Sequence, residues 1–243
     1  MKPIIFSGES VRAILEGRKT MTRRVIKAPK IRALPLNPEK KHILFDMNDA
    51  YPNCDRLKVS FAHPNDGFRP DDKIYRNIEC PYGQVGDRLW VKETWKPSVS
   101  TSIPVECRIY YKACGYKDVS GLNLHRTIPL KQDKWRSPIF LFRWASRITL
   151  EITGIKVERL QDISPADATH EGIGIYAGFE VQCAEGYEGG IGYRNYYIED
   201  DYDLNSPIDS YKTYWDSLNA KRGYSWDTNP FVWVISFKEV KDE

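Results

Sequence analysis

Long apolar runs are missing from this chain of 243 residues. No window approaches the roughly 20 apolar residues that a membrane-spanning helix needs. The first residues, Met1–Glu9, carry only a few apolar side chains before a charge, so they lack the apolar core of a signal peptide. We therefore expect a cytoplasmic protein with no membrane partner.

Cysteine and histidine are also sparse. The five cysteines are odd in number and form no C-x-x-C pair, which argues against a disulfide framework and a zinc ribbon. None of the four histidines lies four residues from another, as two zinc ligands on one helix would. We predict no metal site and no cofactor.

Charge is unevenly distributed, although the whole chain carries only +3. Residues 1–32 contain nine basic side chains against two acidic ones, and this excess is typical of a surface that faces phosphate. Residues 158–209 contain twelve acidic side chains against two arginines. Polyanions are expected to avoid that second segment. The alternative interpretation of both segments is that their charges serve only to keep the protein soluble.

A short first helix is predicted from Val11, Ile14 and Leu15, which fall at helical spacing before Gly17. Glycine permits a left-handed reversal, so the residues after it leave the helix and are free to line a site. The run from Gly17 to Arg24 combines a lysine, two threonines and three arginines. Its β-branched, alternating pattern from Thr20 onward predicts an extended segment with Thr22 and Arg24 on one face.

Strands and helices alternate along the rest of the chain. Strands are predicted at Arg88–Trp95, from Ile148 through Val157, and at Phe231–Phe237, the last of them covered on both faces. A helix is predicted to follow Ser206 and Pro207, which supply a cap and a first-turn proline. The pattern indicates a small α+β barrel with about three short helices, in one domain spanning residues 1–243.

Three segments interrupt this pattern. They lie at about 28–82, 96–136 and 177–205, and the first two lack a sustained hydrophobic period. We interpret all three as long irregular insertions, the first with at most short hairpins.

A second helix is predicted from Ser164, Pro165 and Asp167, with Gly172 as its stop. Glu171 would then lie in the last turn, where a carboxylate faces the negative end of the helix dipole. An unfavourable position of this kind indicates either a functional role or an exposed, indifferent side chain.

The residues Gly17, Lys19 and Arg24 resemble the G-x-K-x-x-x-x-R hallmark of the ASCH family, a branch of the PUA-like superfold. Thr22 stands where many members carry an acid, and this departure is similar to the bacterial N4-acetylcytidine amidohydrolase subgroup. The A-x-x-E end of that subgroup's short helix matches Ala168 to Glu171. The runs Cys80–Val91 and Arg143–Ile148 resemble larger ASCH-related proteins of bacteriophages and prophages.

The resemblance implies a PUA-like mixed β-barrel whose pocket binds a nucleobase, a modified nucleoside or single-stranded nucleic acid. It also implies a chemistry, amide hydrolysis of a substrate such as N4-acetylcytidine, with Lys19 as proton acceptor, Thr22 as nucleophile and Glu171 as proton donor. In direct contact, Lys19 and Glu171 would form an ion pair, an arrangement that suits binding more than catalysis. The residues expected to bind the substrate or nucleic acid are Gly17, Arg18, Arg23, Arg24, Trp90 and Trp144.

Two alternatives stay open at this point. The first is a non-catalytic RNA- or DNA-binding module, with the arginines on phosphate and a tryptophan stacked on a base. The second is a phage accessory protein that acts through protein contacts of the acidic segment 158–209. A tryptophan in the core is the simpler interpretation of each of these rings.

Overall fold

The central element of the fold is a five-stranded mixed sheet. The computed structural model describes residues 1–27, 43–46, 58–62, 76–99, 107–119, 134–183, 186–198 and 201–240. In their order across the sheet the strands are β1 (Lys2–Ile5), β6 (Arg88–Lys92), β10 (Thr149–Arg159), β14 (Phe231–Val240) and β2 (Met21–Val25).

Strand β14 confirms the expectation of a covered central strand. It lies between β10 and β2 and pairs antiparallel with both. Its Trp233 and Ile235 belong to one apolar cluster, and Val232 and Val234 belong to another. Since successive side chains of a strand point to opposite faces, the central sheet is covered by apolar side chains on both sides.

Three α-helices flank the sheet within the described residues, in agreement with the predicted number. They are α1 (Gly8–Leu15), α2 (Pro165–His170) and α3 (Pro207–Asn219). Each is capped by a serine side chain that accepts a backbone N–H of the first turn, which satisfies a donor that the helix itself cannot pair. Short 3₁₀ helices cover Pro138–Phe140, Arg143–Ala145, Leu160–Asp162, Ala220–Arg222 and Trp226–Thr228.

The three segments interpreted as irregular insertions carry strands where they are described. The first contains the short hairpins allowed for it, whereas the described parts of the other two are not irregular as expected. Each contributes strands to a three-stranded antiparallel sheet. Short strands that pair with their neighbours in sequence leave little periodicity, because the register is fixed by the partner strand and the turns. The strands are β3 (Ile43–Asp46), β4 (Lys58–Ala62), β5 (Arg76–Glu79), β7 (Trp95–Val99), β8 (Cys107–Tyr111), β9 (Tyr116–Val119), β11 (Ile175–Cys183), β12 (Gly186–Asn195) and β13 (Asp201–Leu204).

The α+β class is confirmed, whereas the expected closed barrel is not seen in the described residues. Strands β1 and β2 are the two edges of the central sheet, and no ladder joins them there. A side chain spans the gap instead, since Arg24 on β2 donates to the backbone oxygen of Ile5 at 2.7 Å. Across the described ranges, none of the helices has the length and apolar character required to cross a bilayer.

Candidate functional site

The first turn of the site is built by the end of α1. Gly17 follows the helix with a positive φ of 73°, so the predicted left-handed reversal is present. The backbone N–H groups of Arg18 and Lys19 both donate to the oxygen of Ala13 at 2.9 Å. This tight turn brings Lys19 back towards the body of the protein.

The end of α2 forms a second turn that packs against the first. Gly172 has a φ of 79°, and a Cβ placed there would lie 2.7 Å from the Cβ atoms of Ala13 and Lys19. The guanidinium of Arg18 donates to the backbone oxygens of Gly172 and Ile173 at 3.1 and 3.0 Å. The absence of a side chain at Gly172 therefore permits the close approach of the two turns.

Lys19 and Glu171 form a buried ion pair where the two turns meet. The Lys19 Nζ lies 2.7 Å from Glu171 Oε2 and 2.6 Å from the backbone oxygen of the same residue. The side chains are only 1% and 2% exposed. The sequence left two alternatives open for Glu171, a functional role or an exposed side chain without one. Because the side chain is buried against a cation, the second alternative is excluded.

Arg23 extends the pair into a larger charge cluster. Its guanidinium donates to Glu171 Oε1 at 3.3 Å, Asp167 Oδ2 at 2.9 Å and Glu158 Oε1 at 2.5 Å. Lys156 closes the cluster by contacting Glu158 and Asp167 at 2.8 and 3.3 Å. With Lys19 included, three cations and three carboxylates neutralise one another. We call these six residues the charge cluster.

The ionisation of the charge cluster follows from these contacts. Burial lowers the pKa of the Arg23 guanidinium, but Glu171 and Glu158 more than offset it, and the pKa lies above its usual range. Burial raises the pKa of the Asp167 carboxyl, but its hydrogen bond from Arg23 and the charge of Lys156 outweigh burial and lower it overall. Arg23 and Asp167 are thus held in their ionised forms.

The opposite face of β2 carries Thr22 and Arg24, as the alternation predicted. Thr22 is 4% exposed, and its hydroxyl makes no hydrogen bond with the described part of the chain. The guanidinium of Arg24 lies 5.0 Å from the ring centroid of Phe6. Its Nε is buried and likewise has no hydrogen-bond partner in the described residues, which leaves a donor available for a ligand.

The three residues with proposed catalytic roles are thus not equally connected. Lys19 and Glu171 are in direct contact, whereas no hydrogen bond joins Thr22 to either of them in the described ranges. A nucleophile and its base need to lie within about 2.6–3.2 Å for proton transfer, often more loosely without substrate. Their roles in catalysis stay a prediction.

The basic and acidic segments of the sequence meet in this site instead of forming separate surfaces. Arg23 was expected to contact phosphate, but its side chain is 0% exposed and has three acidic partners from the acidic segment. Arg194 of the acidic segment pairs with Glu9 of the basic one at 3.3 Å. Arg23 and Lys19 therefore neutralise carboxylates inside the protein. Neither side chain contributes to the phosphate-facing surface that was expected from residues 1–32.

The two tryptophans expected at the site lie elsewhere. Trp90 is 9% exposed, and its ring lies 5.1 Å from Lys92 Nζ. Trp144 stacks on Phe142 with a centroid distance of 5.7 Å and packs against the cluster around Trp95. In the described residues, the ring contacts of these two tryptophans involve none of the charge cluster. The alternation along the strands could not predict where the two rings would lie.

Sequence reasoning missed the residues that hold Arg23 in place. Asp167 was interpreted only as a capping acid, yet its carboxylate binds Arg23 and Lys156. Glu158 was counted only in the acidic segment. Tyr211 of α3, whose ring centroid lies 5.9 Å from the Arg23 Cζ, was not among the predicted site residues. The excess of acidic residues around α2 was the one feature of the sequence that could have indicated partners for Arg23.

The charge cluster is not arranged as a metal centre. Among the described residues, no group of three or more His, Cys, Asp or Glu side chains is placed to hold a metal ion. Compared with protein-family models, curated proteins and solved structures, the chain matches none of them. The geometry of the site itself therefore carries the functional proposal.

Proposed function

We propose that this chain is an ASCH-like protein with a PUA-like fold that binds a nucleobase or modified nucleoside beside Lys19, on the Thr22 and Arg24 face of β2. The observation that carries the proposal is the buried Nε of Arg24, which has no hydrogen-bond partner in the described residues, on the same face of β2 as the unbonded hydroxyl of Thr22. An unsatisfied buried donor costs about 1–3 kcal/mol. A ligand oxygen or ring nitrogen would satisfy it.

The charge cluster supports binding on this face by fixing the backbone that presents it. Lys19 and Arg23 flank Thr22 in sequence, and both side chains are held by buried carboxylates. Groups locked in this way lose little conformational entropy when a ligand binds. The ring of Phe6, 3% exposed, lies 5.9 Å from Lys19 Nζ and supplies an apolar wall beside two cations.

Titration of the purified protein with N4-acetylcytidine and cytidine tests this proposal. We expect Arg24→Lys to weaken binding about tenfold, because lysine keeps the charge but places no donor where the Nε lies. The matched control is Arg12→Lys, since Arg12 is half-exposed on α1 and its ion pair in the described residues is with Glu9. Unchanged affinity in Arg24→Lys would remove Arg24 from the site, and no binding by the parent protein would refute the proposal.

Hydrolysis is a second candidate function, favoured by the unbonded Thr22 hydroxyl. Once the Lys19–Glu171 pair opens, a proton would pass from Lys19 to Glu171. The neutral amine of Lys19 would then accept the proton of the Thr22 Oγ as this oxygen attacks the acyl carbon of an N4-acylated cytidine, and Glu171 would protonate the departing N4 amine. Water would then release the acyl group as a carboxylic acid and restore Thr22. Because Lys19 Nζ is held by two oxygens of Glu171, the substrate has to open this pair before chemistry occurs. Binding requires no such opening and is therefore the first proposal.

Release of cytidine from N4-acetylcytidine distinguishes the two functions. We expect Thr22→Ala to lose turnover while it retains binding, and Thr22→Ser to retain part of the turnover because serine keeps the hydroxyl. Full turnover in Thr22→Ala would exclude Thr22 as nucleophile. Binding without turnover in the parent protein would exclude hydrolysis and leave the binding function standing.

A further inference from the structure

Strands β1 and β6 have an outer face that lies opposite the main apolar cluster of the central sheet. Ile4, Leu89 and Val91 belong to that cluster. Since side chains alternate along a strand, the residues between them project from the outer face, where the parallel register places Ile5 beside Lys92. An aliphatic and a basic side chain thus meet at this edge of the sheet.

The 3₁₀ helix Pro138–Phe140 adds two more apolar side chains to this surface. It lies against the edge of the sheet, because the Lys92 Nζ donates to the backbone oxygen of Ile139 at 2.6 Å. Ile139 and Phe140 are 59% and 65% exposed, and Ile5 is 41% exposed. Three large apolar side chains therefore surround one lysine at the surface. We call Ile5, Ile139 and Phe140 the apolar patch.

Two cations border the apolar patch, and in the described residues no carboxylate neutralises either of them. Besides the oxygen of Ile139, Lys92 contacts the ring of Trp90, whose centroid lies 5.1 Å from its Nζ. Arg143 donates to the Met1 sulfur at 2.7 Å, and its Cζ lies 5.9 Å from the same ring. Carbonyl, thioether and indole groups carry no net charge. These contacts therefore position the two side chains without cancelling their positive charge.

We propose that the apolar patch, together with Lys92 and Arg143, binds an amphipathic helix of a partner protein that carries carboxylates beside its apolar stripe. Exposed apolar patches rimmed by polar side chains mark interaction sites. The apolar stripe of the helix would cover the patch, and its carboxylates would pair with the two cations. Charge complementarity favours an acidic partner, because like charges across an interface oppose binding.

The edge of β1 argues against a partner that adds an extended strand. Pro3 has no N–H to donate to such a strand, and the backbone oxygen of Ile5 already accepts from Arg24 at 2.7 Å. A helix pairs its own backbone groups, so it needs side-chain contacts alone. A membrane surface is less well matched, because lipid-binding segments gather about four to eight basic side chains, whereas the patch is bordered by Lys92 and Arg143.

Fluorescence anisotropy with a labelled helical peptide of about 18 residues, or five turns, tests this surface. The peptide carries leucine on one face and glutamate beside it. We expect Ile139→Ser and Phe140→Ser each to weaken binding about fivefold or more, as the loss of an apolar anchor does. Arg143→Glu is expected to weaken binding about tenfold, because it places like charges opposite each other. The matched controls are Ile198→Ser and Arg222→Glu, since both residues are exposed but lie beside α3 instead of β1.

A second peptide, with lysine in place of every glutamate, separates charge from apolar attraction. The proposal expects it to bind at least tenfold more weakly than the glutamate peptide in dilute salt, and salt is expected to narrow this difference. Equal affinity for the two peptides, no binding of the glutamate peptide, or unchanged binding in both serine variants would overturn the proposal.

Two further measurements address other occupants of the apolar patch. Vesicles of phosphatidylcholine and phosphatidylglycerol in equal parts that bind with the same dependence on Ile139 and Phe140 would overturn the proposal in favour of a membrane surface. A dimer in sedimentation that Phe140→Ser dissociates would overturn it in favour of a second copy of this chain. The proposal expects neither.

The same variants keep this proposal separate from the nucleoside site, with which the surface shares no side chain. Phe140→Ser and Arg143→Glu are expected to titrate with N4-acetylcytidine as the parent protein does. If the parent protein binds the glutamate peptide but no nucleoside, the proposed function fails and this inference stands. If it binds the nucleoside but not the peptide, the inference alone fails.

Discussion

Glu171 occupies a position that is unfavourable for a carboxylate on two counts. It follows the last turn of α2, where the helix dipole is negative, and it is almost fully buried. Lys19 and Arg23 offset both effects, each contacting a different carboxylate oxygen. Lys19 and Arg23 therefore stabilise the buried charge of Glu171, and Glu171 in turn stabilises the charges of these two side chains.

Removing the charge of Glu171 is expected to destabilise the protein strongly. In Glu171→Gln, Lys19 loses its only buried carboxylate in the described residues and keeps uncharged acceptors, the backbone oxygen and at most the amide oxygen of the new side chain. Breaking a buried ion pair from one side costs about 3–5 kcal/mol, because the remaining charge stays desolvated. Urea unfolding followed by circular dichroism measures the loss.

The matched control for this substitution is Glu16→Gln. Glu16 also pairs with an arginine, but its side chain is 53% exposed. Exposed pairs contribute about 0–1 kcal/mol, so this variant is expected to unfold close to the parent protein. Equal losses in the two variants would contradict the importance that burial gives to Glu171.

At the scale of secondary structure, the predictable parts of the molecule are those fixed by neighbouring residues. Ser164 and Ser206 cap their helices as the sequence indicated, and Gly17 and Gly172 end theirs with positive φ. The short strand β1 was not predicted, since its four residues gain order only by pairing with β6, more than eighty positions away. Local chemistry specifies caps and turns, whereas ladders depend on distant partners.

The same distinction applies to the site. The turn at Gly17 and the shared face of Thr22 and Arg24 follow from local spacing. The burial of Arg23 does not, because its partner Glu158 lies 135 positions away along the chain. A basic run in sequence carries no information on which cations are later neutralised in the fold.

The contact between the two turns predicts an effect of backbone geometry at Gly172. In Gly172→Ala the new Cβ would lie 2.7 Å from the Cβ atoms of Ala13 and Lys19, at a φ of +79° that favours glycine. We expect a loss of about 2–4 kcal/mol, the left-handed conformation contributing roughly 1–2 and the displaced neighbours the rest. Thermal and urea unfolding measure it.

Gly223 provides the control for strain without crowding. It also has a positive φ, +83°, but a Cβ there meets nothing within 4 Å. Gly223→Ala is therefore expected to lose only the conformational part, about 1 kcal/mol. If the two alanine variants unfold alike, the close approach of α1 and α2 is not what requires glycine at position 172.

At the scale of the whole molecule, the central sheet brings its two edge strands within reach of one side chain. The edges are β1 and β2, at opposite ends of the strand order, yet Arg24 of β2 donates to Ile5 of β1. The same guanidinium lies over Phe6, a core residue that follows β1. The Arg24 side chain thus joins the two edges of the sheet on the proposed ligand-binding face.

This link predicts that Arg24 ties together the edges of the sheet as well as binding a ligand. Arg24→Ala removes a charged hydrogen bond and a contact with Phe6, for an expected loss of about 1–3 kcal/mol. Backbone amides of residues 1–7 are expected to exchange hydrogen faster in this variant, because β1 keeps its ladder with β6 but loses its hydrogen bond to the other edge strand. Mass spectrometry of hydrogen exchange measures the change, with Arg12→Ala as a control on the neighbouring helix. If residues 1–7 exchange at the parent rate while nucleoside binding falls, Arg24 serves the ligand alone and the edges are held by the ladders on either side.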